Sequence, residues 1–251
     1  MPKHGRAKPK KPEQESATRR HLRRARVTFR SRIERALRYE RYPYQDYCDQ
    51  YRCIFIHIPK NAGTSVISLL NDGEDTPQQH NTYWDYFYSD PKRFRAYKKF
   101  CIVRDPWTRL LSAYSYLVAG GNQDSDQRFT EKLRESCDSF DDFVLRWLDT
   151  DKIYNLRVLN PQFMYVYDMH GDRLMIDHVL RFERLHEEFR AFQHKIGLRG
   201  DLPWRNKSDR STQQQRYSDR MIEVVAHLYA KDIEMFGYSA TPNDPMVAAG
   251  E

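Results

Sequence analysis

The chain has 251 residues, 39% hydrophobic and 14% aromatic, enough for one α/β domain with a core and too apolar for a disordered chain. Its formal net charge is +7, yet residues 1–38 hold 14 Lys+Arg against 3 Asp+Glu, net +11, and the remainder holds 28 against 32, net −4. A nucleic-acid-binding domain carries its own basic face, so a mildly acidic body argues against a specific nucleic-acid partner.

In chain order, residues 1–17 are rich in Pro and Lys and read as disordered. Over 18–40, Leu22, Phe29, Ile33 and Leu37 recur near helical spacing among many arginines. This basic amphipathic helix either packs on the domain or meets an anionic lipid or polymer. An arm over 1–40, a body over 41–240 and a flexible tail over 241–251 are therefore expected. Within the body, "CIFIHI" reads as a strand and 62–71 as a helix, and a variable stretch follows to about Arg95. "KFCIV" is a second strand and 106–118 a helix. Helical patterns follow over 140–148 and 155–159, with short strands expected at "FMYVY" and "HVLRFE". Residues 184–196 read as a helix, "GLRGDLPWRNKSDRS" as a loop and 213–236 as one long helix. The alternation predicts an α/β fold, a mostly parallel sheet covered by helices, with ligands at the carboxyl ends of its strands.

The four cysteines form no CxxC pair and no His/Cys cluster of zinc spacing, so no metal is expected. Cys53 and Cys101 fall in apolar strand-like runs and read as buried thiols, which fits a reducing compartment. No stretch is apolar enough to span a membrane, and the N-terminus lacks a signal core. A cytoplasmic location is expected, with the arm able to hold the protein at the inner membrane surface.

Two segments carry phosphate chemistry. The first is "HIPKNAGTS", from His57 to Ser65. Gly63 admits a close backbone approach, the helix start presents donors, Lys60 adds a charge, and Thr64 and Ser65 add hydroxyls. The second is "VRDPWTRLLSAY", from Val103 to Tyr114. Asp105 suits a helix cap and Pro106 the first helical position. That sets Arg104 at a strand's carboxyl end, where its fork and the Ser112 hydroxyl suit a second phosphate. Arg109 and Tyr114 read as braces of the helix. No Gly-Lys-Ser/Thr follows the first strand, which is what a nucleotide triphosphatase needs.

Together the two segments resemble the 5′- and 3′-phosphate-binding segments of sulfotransferases that use 3′-phosphoadenosine-5′-phosphosulfate. The nearer match is carbohydrate sulfotransferase family 2, with its HxPKxxGTS and RDPxxRxxSAY patterns, both intact here. The resemblance continues in "NPQFMYVYD", "VLRFERLHEEF", "LPWRNKSDR" and "YAKDIEMFGY", so it covers about 52–238. It implies a P-loop-type three-layer fold and sulfuryl transfer without a metal. It implies that Lys60, Asn61, Ala62, Gly63, Thr64 and Ser65 hold the 5′-phosphosulfate, with Lys60 also stabilising the leaving oxygen. Arg104 and Ser112 would hold the 3′-phosphate, and Lys207 and Ser208 would belong to a loop that closes over the nucleotide.

Sulfuryl transfer needs a base for the acceptor hydroxyl, and histidine suits that task near neutral pH. His80 lies 24 residues before Arg104, in the interval where the resemblance places the base. His57 reads equally as a buried structural residue or a ligand contact. His170, His178, His186, His194 and His227 read as surface or core residues. The resemblance implies a glycan acceptor, for which Tyr83, Trp84 and Tyr86 offer rings, although aromatics at this spacing also build cores. The oligomeric state is not legible. Two other functions stay open on the residues: a P-loop kinase or ATPase, and a non-catalytic polyanion-binding protein with a sulfotransferase-like fold.

Overall fold

The computed structural model describes residues 43–74, 79–121, 130–131, 133–203 and 217–242. The arm expected over 1–40, Lys207, Ser208 and nearly all of the tail expected over 241–251 lie outside the described residues.

A short helix α1 (Asp46–Gln50) leads into β1 (Cys53–Ile56), and α2 (Gly63–Leu70) follows the first motif. The stretch before β2 (Lys98–Val103) holds two helices, α3 (Tyr83–Ser89) and α4 (Pro91–Ala96). Both are capped locally. The Asp85 carboxylate accepts from the Thr82 N–H at 2.6 Å, and Asp90 accepts from the N–H groups of Lys92 and Arg93 at 3.0 Å. After β2 comes α5 (Pro106–Val118), with the boundaries expected from sequence.

The middle of the chain is less regular. Helix α6 (Phe140–Asp142) runs into a π-turn over Phe143–Trp147, closed by the Leu148 N–H to Phe143 O bond at 2.8 Å. Helix α7 (Thr150–Asn155) precedes a 3-10 turn (Arg157–Leu159) and α8 (Phe163–Val166). Strand β3 (His178–Arg181), α9 (Leu185–Ile196), α10 (Asp219–Leu228) and α11 (Ala230–Phe236) complete the order.

The described strands form one parallel sheet in the order β1-β2-β3. Phe55 lies opposite Phe100, and Phe100 opposite His178. All of β1 and all but the first residue of β2 are buried, so these strands read as continuous apolar runs rather than alternations. Helices flank the sheet on this α/β plan. Phe100 stacks on Phe55 at 4.8 Å and meets Phe192 of α9 at 4.3 Å. A second core gathers Trp107, Leu110 and Leu117 of α5 with Phe140, Phe143, Met221 and Val225. Helix α5 therefore carries its motif at the carboxyl end of the central strand β2 while its apolar face is held by a separate cluster.

Two expected elements are corrected. "FMYVY" was expected as a strand from its β-prone residues, but it forms α8. The carboxylate of Asp232, distant in sequence, accepts from the N–H groups of Gln162 at 2.8 Å and Phe163 at 2.9 Å and caps the turn. A tertiary cap here outweighs side-chain propensity. The helix expected over 213–236 is interrupted at Tyr229 (φ −107°, ψ 20°), whose hydroxyl donates to Leu159 O at 2.9 Å. Its first four residues lie outside the described residues.

Candidate active site

The first motif turns sharply between β1 and α2. Lys60 (φ 68°) and Ala62 (φ 59°) are two of four non-glycine residues with positive φ among the described residues. For an alanine this conformation costs about 1–2 kcal/mol. The Asn61 side chain points inward and is 1% exposed. Its Nδ2 donates to Ile102 O at 2.7 Å and to Gln162 Oε1 at 2.7 Å, so this side chain pins the loop to the end of β2. Thr64 is half-buried and Ser65 is 5% exposed, both in the first turn of α2.

Gly63, expected to admit an anion close to the backbone, also makes room for a ring: a Cβ at this position would lie 1.8 Å from His57 Nε2. The imidazole of His57 fills the space a side chain would take. His57 is buried, and burial, then neighbouring His80, holds it well below the usual histidine range, so it is neutral.

The Lys60 ammonium lies 4.3 Å from the centroid of the Tyr116 ring, on α5. Burial, then the guanidinium groups of Arg104 and Arg109, push its pKa down to about 8. Each of these influences lowers it, and no carboxylate forms an ion pair with Lys60 among the described residues. A half-buried cation with no carboxylate paired to it among the described residues is electrostatically suited to receive an anion.

The second motif sits beside it at the end of β2. Asp105 caps α5, its Oδ1 accepting from Trp107 N–H and Thr108 N–H at 3.0 Å each. Arg104 is 6% exposed and lies 4.2 Å from the Phe182 ring centroid. Its Nε donates to Thr108 Oγ1 at 3.1 Å and its Nη1 to Lys60 O at 3.4 Å. Burial pushes Arg104 down to about 10, against the opposing pull of Glu183 and Asp105. Ser112 is half-buried on α5, four residues before Tyr116. Arg109 is a brace: its Nε donates to Pro59 O at 3.1 Å and its Nη2 to Asn160 O at 2.9 Å. Tyr114 packs on Phe143 at 5.0 Å.

His80 joins this group through His57. Its Nδ1 lies 3.2 Å from His57 O, and the two rings are 4.2 Å apart. A carbonyl oxygen only accepts, so this contact suits the tautomer with the proton on Nδ1 and none on Nε2. That is the tautomer a general base requires. His170, His186, His194 and His227 are exposed, and His178 packs against Phe192. Of the aromatic residues considered for a sugar, Tyr83 and Tyr86 are core residues, 1% and 4% exposed. Trp84 is half-buried and stacks on the exposed Tyr88 at 4.7 Å. Sequence reasoning missed Tyr116 and the inward pair Gln162 and Asp232. Tyr116 had a signal, its i+4 spacing from Ser112 on one helix face. Gln162 had another, a polar residue heading an apolar run.

A parallel sheet with a cationic cluster at the carboxyl ends of two adjacent strands is the arrangement of the phosphate-loop α/β class. The chain belongs to the sulfotransferase family, whose family model matches residues 44–239. Compared with curated proteins and with solved structures, the chain matches none. The family decides for sulfuryl transfer over the kinase or ATPase alternative. Among the described residues, no helix is long and apolar enough to cross a membrane.

Proposed function

We propose that the protein transfers a sulfuryl group from 3′-phosphoadenosine-5′-phosphosulfate to a hydroxyl of a carbohydrate acceptor, with His80 as base. The observation that supports this reading is the gathering of the Lys60, Arg104 and Arg109 cations at the strand ends, with no carboxylate ion-paired to Lys60 among the described residues, beside a segment whose His57 carbonyl lies 3.2 Å from His80 Nδ1. The residues present fit the donor: Lys60 and the start of α2 suit the 5′-phosphosulfate, and Arg104 and Ser112 the 3′-phosphate. The donor supplies an activated sulfuryl group. His80 Nε2 takes the acceptor hydroxyl's proton as the acceptor oxygen bonds to sulfur. The bond from sulfur to the 5′-phosphate oxygen breaks, and the Lys60 ammonium balances the charge left there. The products are a sulfate ester and 3′-phosphoadenosine 5′-phosphate, and the proton stays on His80 until solvent removes it.

Trp84 and Tyr88, on the helix that starts three residues after His80, offer the stacked aromatic surface for a sugar ring. No metal is assigned to the reaction. The basic arm is assigned to an anionic membrane surface or polymer, which would hold a cytoplasmic enzyme at the inner membrane.

The test of the donor assignment is thermal. 3′-Phosphoadenosine 5′-phosphate at about 100 times its Kd should stabilise the full chain by roughly 2.7 kcal/mol with chelator present. ADP, lacking the 3′-phosphate, should shift the melting temperature far less. Equal shifts would overturn the roles of Arg104 and Ser112.

A further inference from the structure

The two anion-binding segments are not joined by chance packing. Gln162 is fully buried between them. Its Oε1 accepts from Asn61 Nδ2, in the first loop, at 2.7 Å, and from Arg104 N–H, in the second segment, at 2.9 Å. Its Nε2 donates to Arg104 O at 2.8 Å. The orientation of the amide is fixed by Arg104, whose main chain offers one donor and one acceptor. No other side chain of this size presents an acceptor and a donor at its tip without a charge. Gln162 is in turn held by Asp232, which is also fully buried and bonds the main chain of Gln162 and Phe163. The hydrogen bonds of the Asp232 carboxylate go to Gln162 and Phe163, and its charge is also felt by Arg109 of the second segment.

We propose that Gln162, seated by Asp232, is the positioning residue that sets the separation of the two phosphate segments and so the preference for a nucleotide carrying both phosphates. This rests on the donor reading above. A nucleotide with one phosphate engages one segment and is indifferent to the spacing. A nucleotide with two gains from the second only if both segments stand at the right separation, where a misplacement of about 1 Å is costly. Breaking the clamp therefore lowers selectivity more than it lowers binding as such.

The experiment titrates 3′-phosphoadenosine 5′-phosphate and adenosine 5′-monophosphate into the full chain and compares the ratio of affinities. Wild type should prefer the bisphosphate. Gln162→Met keeps the volume and removes the three side-chain bonds. It should lower the ratio roughly tenfold or more, with monophosphate affinity within about threefold of wild type. A side chain that only stabilises the fold would lower both affinities together and leave the ratio in place. Should Gln162→Met fail to fold, Asp232→Asn decides. It keeps shape and one acceptor and should lower the ratio severalfold. An unchanged ratio in a folded variant overturns the inference while the donor reading stands. No bisphosphate preference in wild type overturns the donor reading, and the inference with it.

Discussion

Gly63 and Ala62 hold exchanged roles in the loop after β1: the alanine carries the left-handed backbone and the glycine makes room for a ring. His57 cannot swing away from a Cβ at position 63, because it is buried between Phe55 and His80. Gly63→Ala should destabilise the protein by about 1–3 kcal/mol, the cost of overpacking. It should cost much less in a His57→Ala background. Urea denaturation of the four-member cycle checks this, and additive energies would refute the contact. Lys60 gives a second expectation. Its pKa of about 8 in the free protein leaves about half the ammonium groups uncharged at pH 8. A bound anion favours the charged form, so binding takes up protons, and donor affinity should weaken as pH rises above 8. Calorimetry of the desulfated nucleotide in two buffers of different ionisation enthalpy should detect about half a proton taken up at pH 8, and none with Lys60→Ala. Lys60 and Arg104 were legible in the sequence because each lies in a short motif just past a strand. The part played by His57 was not, because nothing in the order of residues says that a strand-end imidazole folds over a glycine six positions later.

The same contrast holds among the elements. β1, β2 and α5 were legible because their signals are local: continuous buried apolar runs and an Asp-Pro helix start. Asp105 supplies two of the N–H partners at the head of α5, so Asp105→Ala should cost about 0.5–2 kcal/mol. Chemical denaturation measures it, and a change below about 0.3 kcal/mol would show that the cap is dispensable. Helices α3 and α4 were passed over as a variable stretch although Thr82, Asp85 and Asp90 mark their starts. α8 could not have been found locally. Its cap is Asp232, some 70 residues on, and its own side chains favour a strand. The interruption at Tyr229 is equally non-local, set beside a hydroxyl bond to Leu159 O. α8 escaped the sequence because a remote carboxylate satisfies its backbone, whereas α3 and α4 carry local cap signals.

Across the whole chain, charge and the two motifs are segregated: the first 38 residues carry net +11, and both motifs lie within the family-matched 44–239. Removing residues 1–38 should therefore leave donor binding intact and abolish attraction to anionic vesicles. That attraction should fade with salt, since the Debye length is only about 8 Å at physiological ionic strength. Co-sedimentation of full-length and truncated protein across a salt series checks it, and salt-insensitive binding would refute it. The central claim concerns the chemistry of the body. Its most direct test is single-turnover transfer from donor labelled with radioactive sulfur, run over a panel of glycans with the full chain and with His80→Ala. The label should move to a glycan hydroxyl with release of 3′-phosphoadenosine 5′-phosphate. His80→Ala should bind donor normally and transfer roughly 10²–10⁴-fold more slowly. Transfer by His80→Ala at near wild-type rate, or label that stays on the donor with every glycan, would contradict it.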